Sequence, residues 1–111
     1  MKYEIYQLNT DLENGVEMLY MDYRWNTSHG HEITANKYNK VYEGEINDPS
    51  NKVTSKAIYA AESLYTMFNL DCPANFTGHS MSVSDVIVLD GKAYYCDRIG
   101  FTELPDFFKE G

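Results

Sequence analysis

The residues best suited to chemistry lie at positions 29–32, where the chain reads His-Gly-His-Glu. Two imidazoles and a carboxylate are ligands that first-row metal ions accept. A metal site also needs enough ligands held by the fold, and the only other histidine in the sequence is His79. One hypothesis is therefore a metal-dependent hydrolase that uses His29, His31 and His79. The competing interpretation, a polar loop, is the one we favour, so we predict no cofactor.

A second group with potential chemistry runs from His79 to Asp85 and contains three serines. A hydroxyl nucleophile needs a base and an orienting group within hydrogen-bond reach. The sequence has no G-x-S-x-G motif, no Walker loop and no Cys-x-x-Cys pair. Serine and aspartate side chains also bond to neighbouring backbone, which can fix the start of a strand. We therefore predict that these residues are structural, that Cys96 belongs to the core, and that the protein is not an enzyme.

Charge and aromatic content point to a protein-binding surface. The chain has 17 acidic against 9 basic residues, a net charge of −8, and ten tyrosines. Such a field repels nucleic acids and anionic membranes but complements a basic, nucleic-acid-binding protein. Aromatic side chains near acids in the first half are either core residues, which is the default, or parts of an acidic interface. The predicted partner-binding residues are Tyr20, Asp22, Tyr23, Trp25, His29, His31, Glu32, Tyr42, Glu43 and Glu45.

The strongest structural signal is a hairpin between residues 85 and 97. Asp90-Gly91 joins two hydrophobic runs, 85–89 and 92–97, and this pair favours a two-residue type I′ turn. Each run offers apolar or aromatic side chains to both faces. A hairpin that is apolar on both faces must be covered on both sides, so we expect it at the centre of a sheet.

The best helix is predicted at residues 54–68. Thr54 or Ser55 can cap its first N–H groups, and Val53 can pack on Ile58 as a hydrophobic staple. Apolar side chains recur along one stripe at helical spacing, so this helix is the natural cover for one face of the hairpin. The stripe consists of Ala57, Ile58, Ala61, Leu64, Tyr65 and Phe68.

Weaker patterns complete the chain. Alternation predicts strands at 2–9 and 38–46, and a helical stripe favours a helix at 16–25. Turn residues predict a loop at 26–36, a turn or a weak helix start at 11–15, and a turn at 47–51. Residues 104–108 are expected to form a short helical turn. The fold class is therefore α+β, a small mostly antiparallel sheet with one main helix packed on it, in a single domain over 1–111.

Location follows from what the sequence lacks. It contains no signal peptide and no long apolar run, so we expect a cytoplasmic protein. Cys72 and Cys96 are then expected to stay reduced, and their spacing does not suit a metal site.

The stretch 78–108, GHSMSVSDVIVLDGKAYYCDRIGFTELPDFF, closely resembles the end of YodL-like domains. The shared pattern is Gly-His-Ser-hydrophobic-Ser-Val-Ser-Asp-Val-Ile, a hairpin with paired tyrosines, then Asp-x-x-Gly-Phe. The segments KYEIYQLN, KVYEGEI and SLYTMFNL are also similar to the family, whereas residues 16–38 are hard to match.

The resemblance implies a context rather than an active site. YodL-like domains occur in proteins of conjugative elements, plasmids and phages, so we expect a non-enzymatic accessory protein in the cytoplasm of a bacterial host. The hypothesis is that it binds and inhibits a host defence protein, such as a CRISPR nuclease, with its acidic surface in a basic groove. Besides the metal-dependent hydrolase, the other alternative is an inert structural module of larger multidomain proteins.

Overall fold

The computed structural model describes residues 2–12, 14–46, 56–70, 73–76 and 78–109, without the side chains of 56–59. Its elements alternate between strands and helices along the chain. They are β1 (Lys2–Leu8), α1 (Gly15–Met18), α2 (Tyr23–Ser28), a 3₁₀ turn (Ala35–Lys37), β2 (Tyr38–Glu45), α3 (Lys56–Leu70), β3 (Val86–Leu89), β4 (Lys92–Cys96) and β5 (Phe101–Glu103). None of the helices in these ranges is long and apolar enough to cross a bilayer.

The strands form one sheet with the predicted hairpin inside it. Within the described residues the order is β2-β1-β3-β4-β5, and every neighbouring pair is antiparallel. Asp90 and Gly91 have φ values of +47° and +88°, as a type I′ turn requires. The predicted hairpin and its central position are confirmed, and with them the α+β fold class.

The hairpin divides its side chains between two cores, as its sequence predicts. Ile87, Leu89, Tyr94 and Cys96 face the side that α3 covers. Of the predicted helix stripe, Ala61, Leu64 and Phe68 are buried there and Tyr65 is half-buried, because they recur on one side of the helix. Some of the sequence predictions fall outside the described residues. They concern the turn at 47–51, Val53, Thr54, Ser55, Cys72 and the side chains of Ala57 and Ile58.

The second core lies on the opposite face of the sheet. Val86, Val88, Ala93 and Tyr95 meet Met18 of α1 and residues that follow α2 and β5, including Ile33, Leu104 and Phe107. We name residues 14–37, which contain α1, α2 and the 3₁₀ turn, the short-helix cover. Sequence patterning predicted that this face needed a cover but did not identify it.

The predicted helix at 16–25 is wrong. The chain forms α1, turns at Tyr20, and restarts as α2, because Tyr20 has a positive φ of 67°. The Asp22 side chain accepts a hydrogen bond of 2.7 Å from the Trp25 N–H and so caps α2. The helix then continues through Ser28, so the predicted loop at 26–36 begins with helix.

The C-terminal part also differs from the sequence-based prediction. Residues 104–108 form hydrogen-bonded turns rather than a turn of helix. The strand β5 that precedes these turns was not predicted from the sequence patterns. Gly100 has a φ of +70°, and its carbonyl oxygen accepts a hydrogen bond of 3.1 Å from the Asp97 N–H. This loop returns the chain to pair beside β4.

Candidate partner-binding site

The structure divides the ten predicted partner-binding residues into two groups. Seven of them, from Tyr20 to Glu32, belong to the short-helix cover, whereas Tyr42, Glu43 and Glu45 lie on the edge strand β2. Tyr42 packs in the α3-side core, with its ring 5.3 Å from that of Phe68. The ten residues therefore do not form one continuous surface, and Tyr42 fits the core interpretation.

Trp25 and two histidines form a stack on the short-helix cover. The ring of His29 lies 3.9 Å from the Trp25 ring at an interplanar angle of 20°, and that of His31 lies 6.1 Å away at 27°. His29 is exposed, and its Nδ1 is 2.8 Å from the Trp25 carbonyl oxygen. His31 is buried, and its Nε2 lies 3.0 Å from a carboxylate oxygen of Glu17. The His-Gly-His-Glu sequence thus supplies ring stacking and a contact between His31 and Glu17.

The three histidines of the hydrolase hypothesis lie in different environments. His79 contacts Gln7, whose Nε2 is 3.3 Å from the His79 Nδ1 and donates to the His79 carbonyl at 2.7 Å. Across the described ranges, no three His, Cys, Asp or Glu residues are grouped closely enough to hold a metal ion. The geometry therefore gives the hydrolase hypothesis no support.

Asp22 and Tyr23 mainly hold the cover in place. Besides capping α2, the Asp22 carboxylate lies 3.4 Å from Nε of Arg98. The Tyr23 ring meets the buried Tyr95 ring edge-on at 5.8 Å. The charge of Asp22 is thus partly compensated. Among the described residues of 11–32, the exposed acids are Glu32 and also Asp11 and Glu17, which the prediction missed. Exposure depends on where the chain turns, which the sequence pattern did not reveal.

A groove of about 620 Å³ separates the end of α2 from the C-terminal turns. Its lining combines polar and apolar groups, with Lys109 paired to Asp106 at 2.9 Å. Three predicted residues, Tyr23, His31 and Glu32, line it together with Leu104 and Phe107. It gives this side of the molecule a concave surface.

A second groove, of about 460 Å³, lies where β1 and β2 meet the hairpin turn. Its lining includes four carboxylates and the ring of Phe108. Lys40 lies 3.2 Å from Glu43 and 3.7 Å from Glu4, so part of this charge is neutralised within the protein. The lining acids are Glu4, Glu43, Glu45 and Asp90.

The serines before β3 make local hydrogen bonds, including one from the Ser82 hydroxyl to the Ser80 carbonyl oxygen. Asp85 is fully buried, and its Oδ2 accepts hydrogen bonds from the Ser82 N–H at 2.9 Å and from Gln7 Nε2 at 3.2 Å. Its Oδ1 faces His79 Nε2 at 3.8 Å, and burial raises the pKa of Asp85 from 3.8 to about 8. No hydrogen bond joins a serine hydroxyl to His79 in the part of the chain that is described. Gln7, the buried partner from β1, was missed because it is distant in sequence.

Comparison with known proteins identifies the family. The family model of the YodL-like domain matches residues 2–107, nearly the whole chain. The protein therefore belongs to the YodL-like domain family, and the resemblance of its C-terminal stretch is confirmed. No curated protein and no solved structure matches it.

Proposed function

We propose that this YodL-like domain is a non-enzymatic binding protein of a phage or conjugative element. It acts in the cytoplasm of the bacterial host, where it inhibits a basic, nucleic-acid-handling defence protein. The supporting observation is the concentration of charge in residues 11–32, which contain five carboxylates and one arginine. This segment thus has a net charge of −4, out of −8 for the whole chain.

The acids of this segment are placed to act outside the molecule. Asp11, Glu17 and Glu32 are all exposed, whereas Asp22 lies near Arg98. Carboxylates held on a folded surface attract the basic, phosphate-binding groove of a nucleic-acid-binding protein. This attraction increases the rate at which the two proteins associate. The interaction is therefore expected to weaken as salt screens it.

Aromatic groups beside these acids supply the apolar part of an interface. Tyr20 is exposed, Trp25 is half-buried, and Trp25 is stacked on the exposed His29. Interfaces are enriched in Tyr and Trp because these side chains bury large areas while losing few rotatable bonds. A rigid aromatic and acidic surface suits binding better than catalysis.

Phage plating tests the proposal directly. Cells that carry one defined defence system each, including several CRISPR nucleases, are infected with and without this protein. We expect plating to be restored for at least one system. The purified pair should bind with a Kd that weakens at least about tenfold between about 0.05 and about 0.5 M salt, because exposed charges are screened.

Charge-neutral variants identify the surface that acts. The double variant Asp11→Asn with Glu32→Gln removes two exposed carboxylates from the proposed face. The control, Glu62→Gln with Glu103→Gln, makes the same charge change on α3 and β5, also at exposed positions. Inhibition should fall with the first variant and persist with the control. The proposal is contradicted if the first variant inhibits as well as the wild type, or if the wild type restores plating for none of the defence systems.

A further inference from the structure

Tyr20 has an unusual backbone conformation for a large residue. It lies at the corner between α1 and α2 with φ of +67°, in the left-handed region that non-glycine residues seldom occupy. Glycine or asparagine would adopt this turn more easily. Because tyrosine is unfavourable in this conformation, we infer that its side chain has a role at this turn.

The surrounding structure fixes the corner from several directions. The Tyr20 N–H donates to Ser84 Oγ at 3.1 Å, and the Met21 carbonyl accepts from the Tyr95 hydroxyl at 2.5 Å. Asn26 donates to the Met18 carbonyl at 3.2 Å. Ser84 is itself fully buried, with φ of +88°. Rare conformations persist where neighbouring groups hold them in this way, and they concentrate at sites that bind ligands.

The Tyr20 side chain is nevertheless directed largely to solvent. It is 53% exposed, and its one described ring contact is an edge with His79 at 6.0 Å. Leu12 and Val16, on the same short segment, are 40% and 68% exposed. Leu12 and Met18 also line a small cavity of about 170 Å³. Several exposed apolar side chains on one short segment are typical of an interaction site.

The charges around these side chains select the partner. Residues 3–23 contain five carboxylates and neither lysine nor arginine, although Lys40 lies near Glu4 and Arg98 near Asp22. Glu17 is exposed, and so is Arg24, which follows the segment. His31 contacts Glu17, and Lys37, which lines the small cavity, donates to the Glu32 carbonyl at 2.8 Å. Exposed apolar side chains with exposed carboxylates nearby in the sequence complement a segment with an apolar stripe and basic flanks.

We propose that Tyr20 is a preorganised aromatic anchor, and that with Leu12 and Val16 it docks a basic amphipathic helix of the partner protein. This inference rests on the proposed function and specifies its binding face. Because the corner is fixed before binding, the ring loses little conformational freedom when the partner docks. The apolar stripe of the partner helix packs on the three side chains, and its basic residues face Asp11 and Glu17.

The probe is a helical peptide of about 18 residues with leucine at the core heptad positions and lysine elsewhere. Its affinity for the full chain is measured by titration, and its binding face by amide chemical shifts. We expect shifts centred on residues 12–20. Tyr20→Gly and Tyr20→Ala should each weaken binding at least about tenfold, because an aromatic anchor carries much of the affinity of an interface. The control Ile99→Gly, at a position 94% exposed on another loop, should bind like the wild type.

Thermal melts distinguish a binding role of the Tyr20 side chain from a role in stabilising the fold. If the corner holds the left-handed conformation, Tyr20→Gly melts above Tyr20→Ala, because glycine accepts a positive φ without strain. Any of three results overturns the anchor. The first is that Tyr20→Gly melts below Tyr20→Ala, and the second is that both variants keep the peptide affinity of the wild type. The third is that a peptide with glutamate in place of lysine binds equally well. Defence inhibition that survives Tyr20→Gly overturns the anchor but not the proposed function. Peptide binding at Tyr20 without inhibition of any defence system overturns the proposed function alone.

Discussion

The carboxyl group of Asp85 is buried beneath the segment that leads into β3. Its Oδ2 accepts two hydrogen bonds, and its Oδ1 is an unbonded buried oxygen 3.8 Å from His79 Nε2. An ionised carboxylate in such a place lacks full compensation, so burial raises the pKa of Asp85 to about 8. The folded protein therefore keeps this proton over a range in which the unfolded chain loses it.

This proton makes stability depend on pH in a definite direction. Because the folded pKa of Asp85 is raised, its favourable contribution is complete below the unfolded pKa of about 4 and is lost as pH rises to about 8. Asp85→Asn keeps an oxygen for both hydrogen bonds and cannot ionise. Denaturant titrations between about pH 5 and 7 should show the wild type losing up to about 1.4 kcal/mol per pH unit relative to this variant. Asp90→Asn, at an exposed turn position that asparagine also suits, should keep the slope of the wild type. Equal slopes in wild type and Asp85→Asn would refute the buried proton.

The hydroxyl of Tyr95 ties the short-helix cover to the sheet. It accepts from Asn26 Nδ2 at 2.8 Å and donates to the Met21 carbonyl. Tyr95→Phe leaves that carbonyl without this donor, so we expect a loss of about 1–3 kcal/mol in the free energy of unfolding by denaturant titration. Tyr94→Phe is the matched control on the other face, since its hydroxyl has no hydrogen bond among the described residues, and it should change stability little. Similar losses in both variants would show that the ring, rather than the hydroxyl, holds the cover.

Among the elements, α3 carries a clear division between a buried and an exposed side. Leu64 is 1% exposed in the core, whereas Leu70 at the last position of the helix is 83% exposed. Leu64→Ala should reduce the free energy of unfolding by about 2–5 kcal/mol, because it removes apolar burial and leaves a cavity. The same substitution at Leu70 should change it by less than about 0.5 kcal/mol. Comparable effects at the two positions would contradict the packing of α3 against the sheet.

Local patterns predicted the elements whose signals lie within a few residues. Asp90-Gly91 selects the turn by its backbone preference, and the alternation of Val86 to Tyr95 assigns each side chain to a face. The corner at Tyr20 could not be predicted in this way, because Ser84 and Tyr95, far along the chain, hold it. The same distance hid Gln7 as the partner of Asp85. Composition alone selected the seven candidate residues from Tyr20 to Glu32. That Tyr42 lies apart from them depends on the order of strands in the sheet, which local patterns do not contain.

For the whole molecule, the charge of −8 is unevenly spread, and this asymmetry connects the fold with the proposed function. The sheet separates two covers, α3 on one face and the short-helix cover on the other. Residues 11–32 hold half of the net charge together with exposed aromatic groups. A basic partner should therefore meet one side of the molecule in a preferred orientation.

Competition with nucleic acid tests the central claim most directly. A defence nuclease that this protein inhibits is loaded with fluorescent nucleic acid, and the protein is titrated in while anisotropy is recorded. The wild type and Glu62→Gln with Glu103→Gln should displace the nucleic acid alike. Asp11→Asn with Glu32→Gln should need about tenfold more protein, as expected when an interface loses about 1.4 kcal/mol. Simultaneous binding of protein and nucleic acid, or equal displacement by all three proteins, would contradict the account.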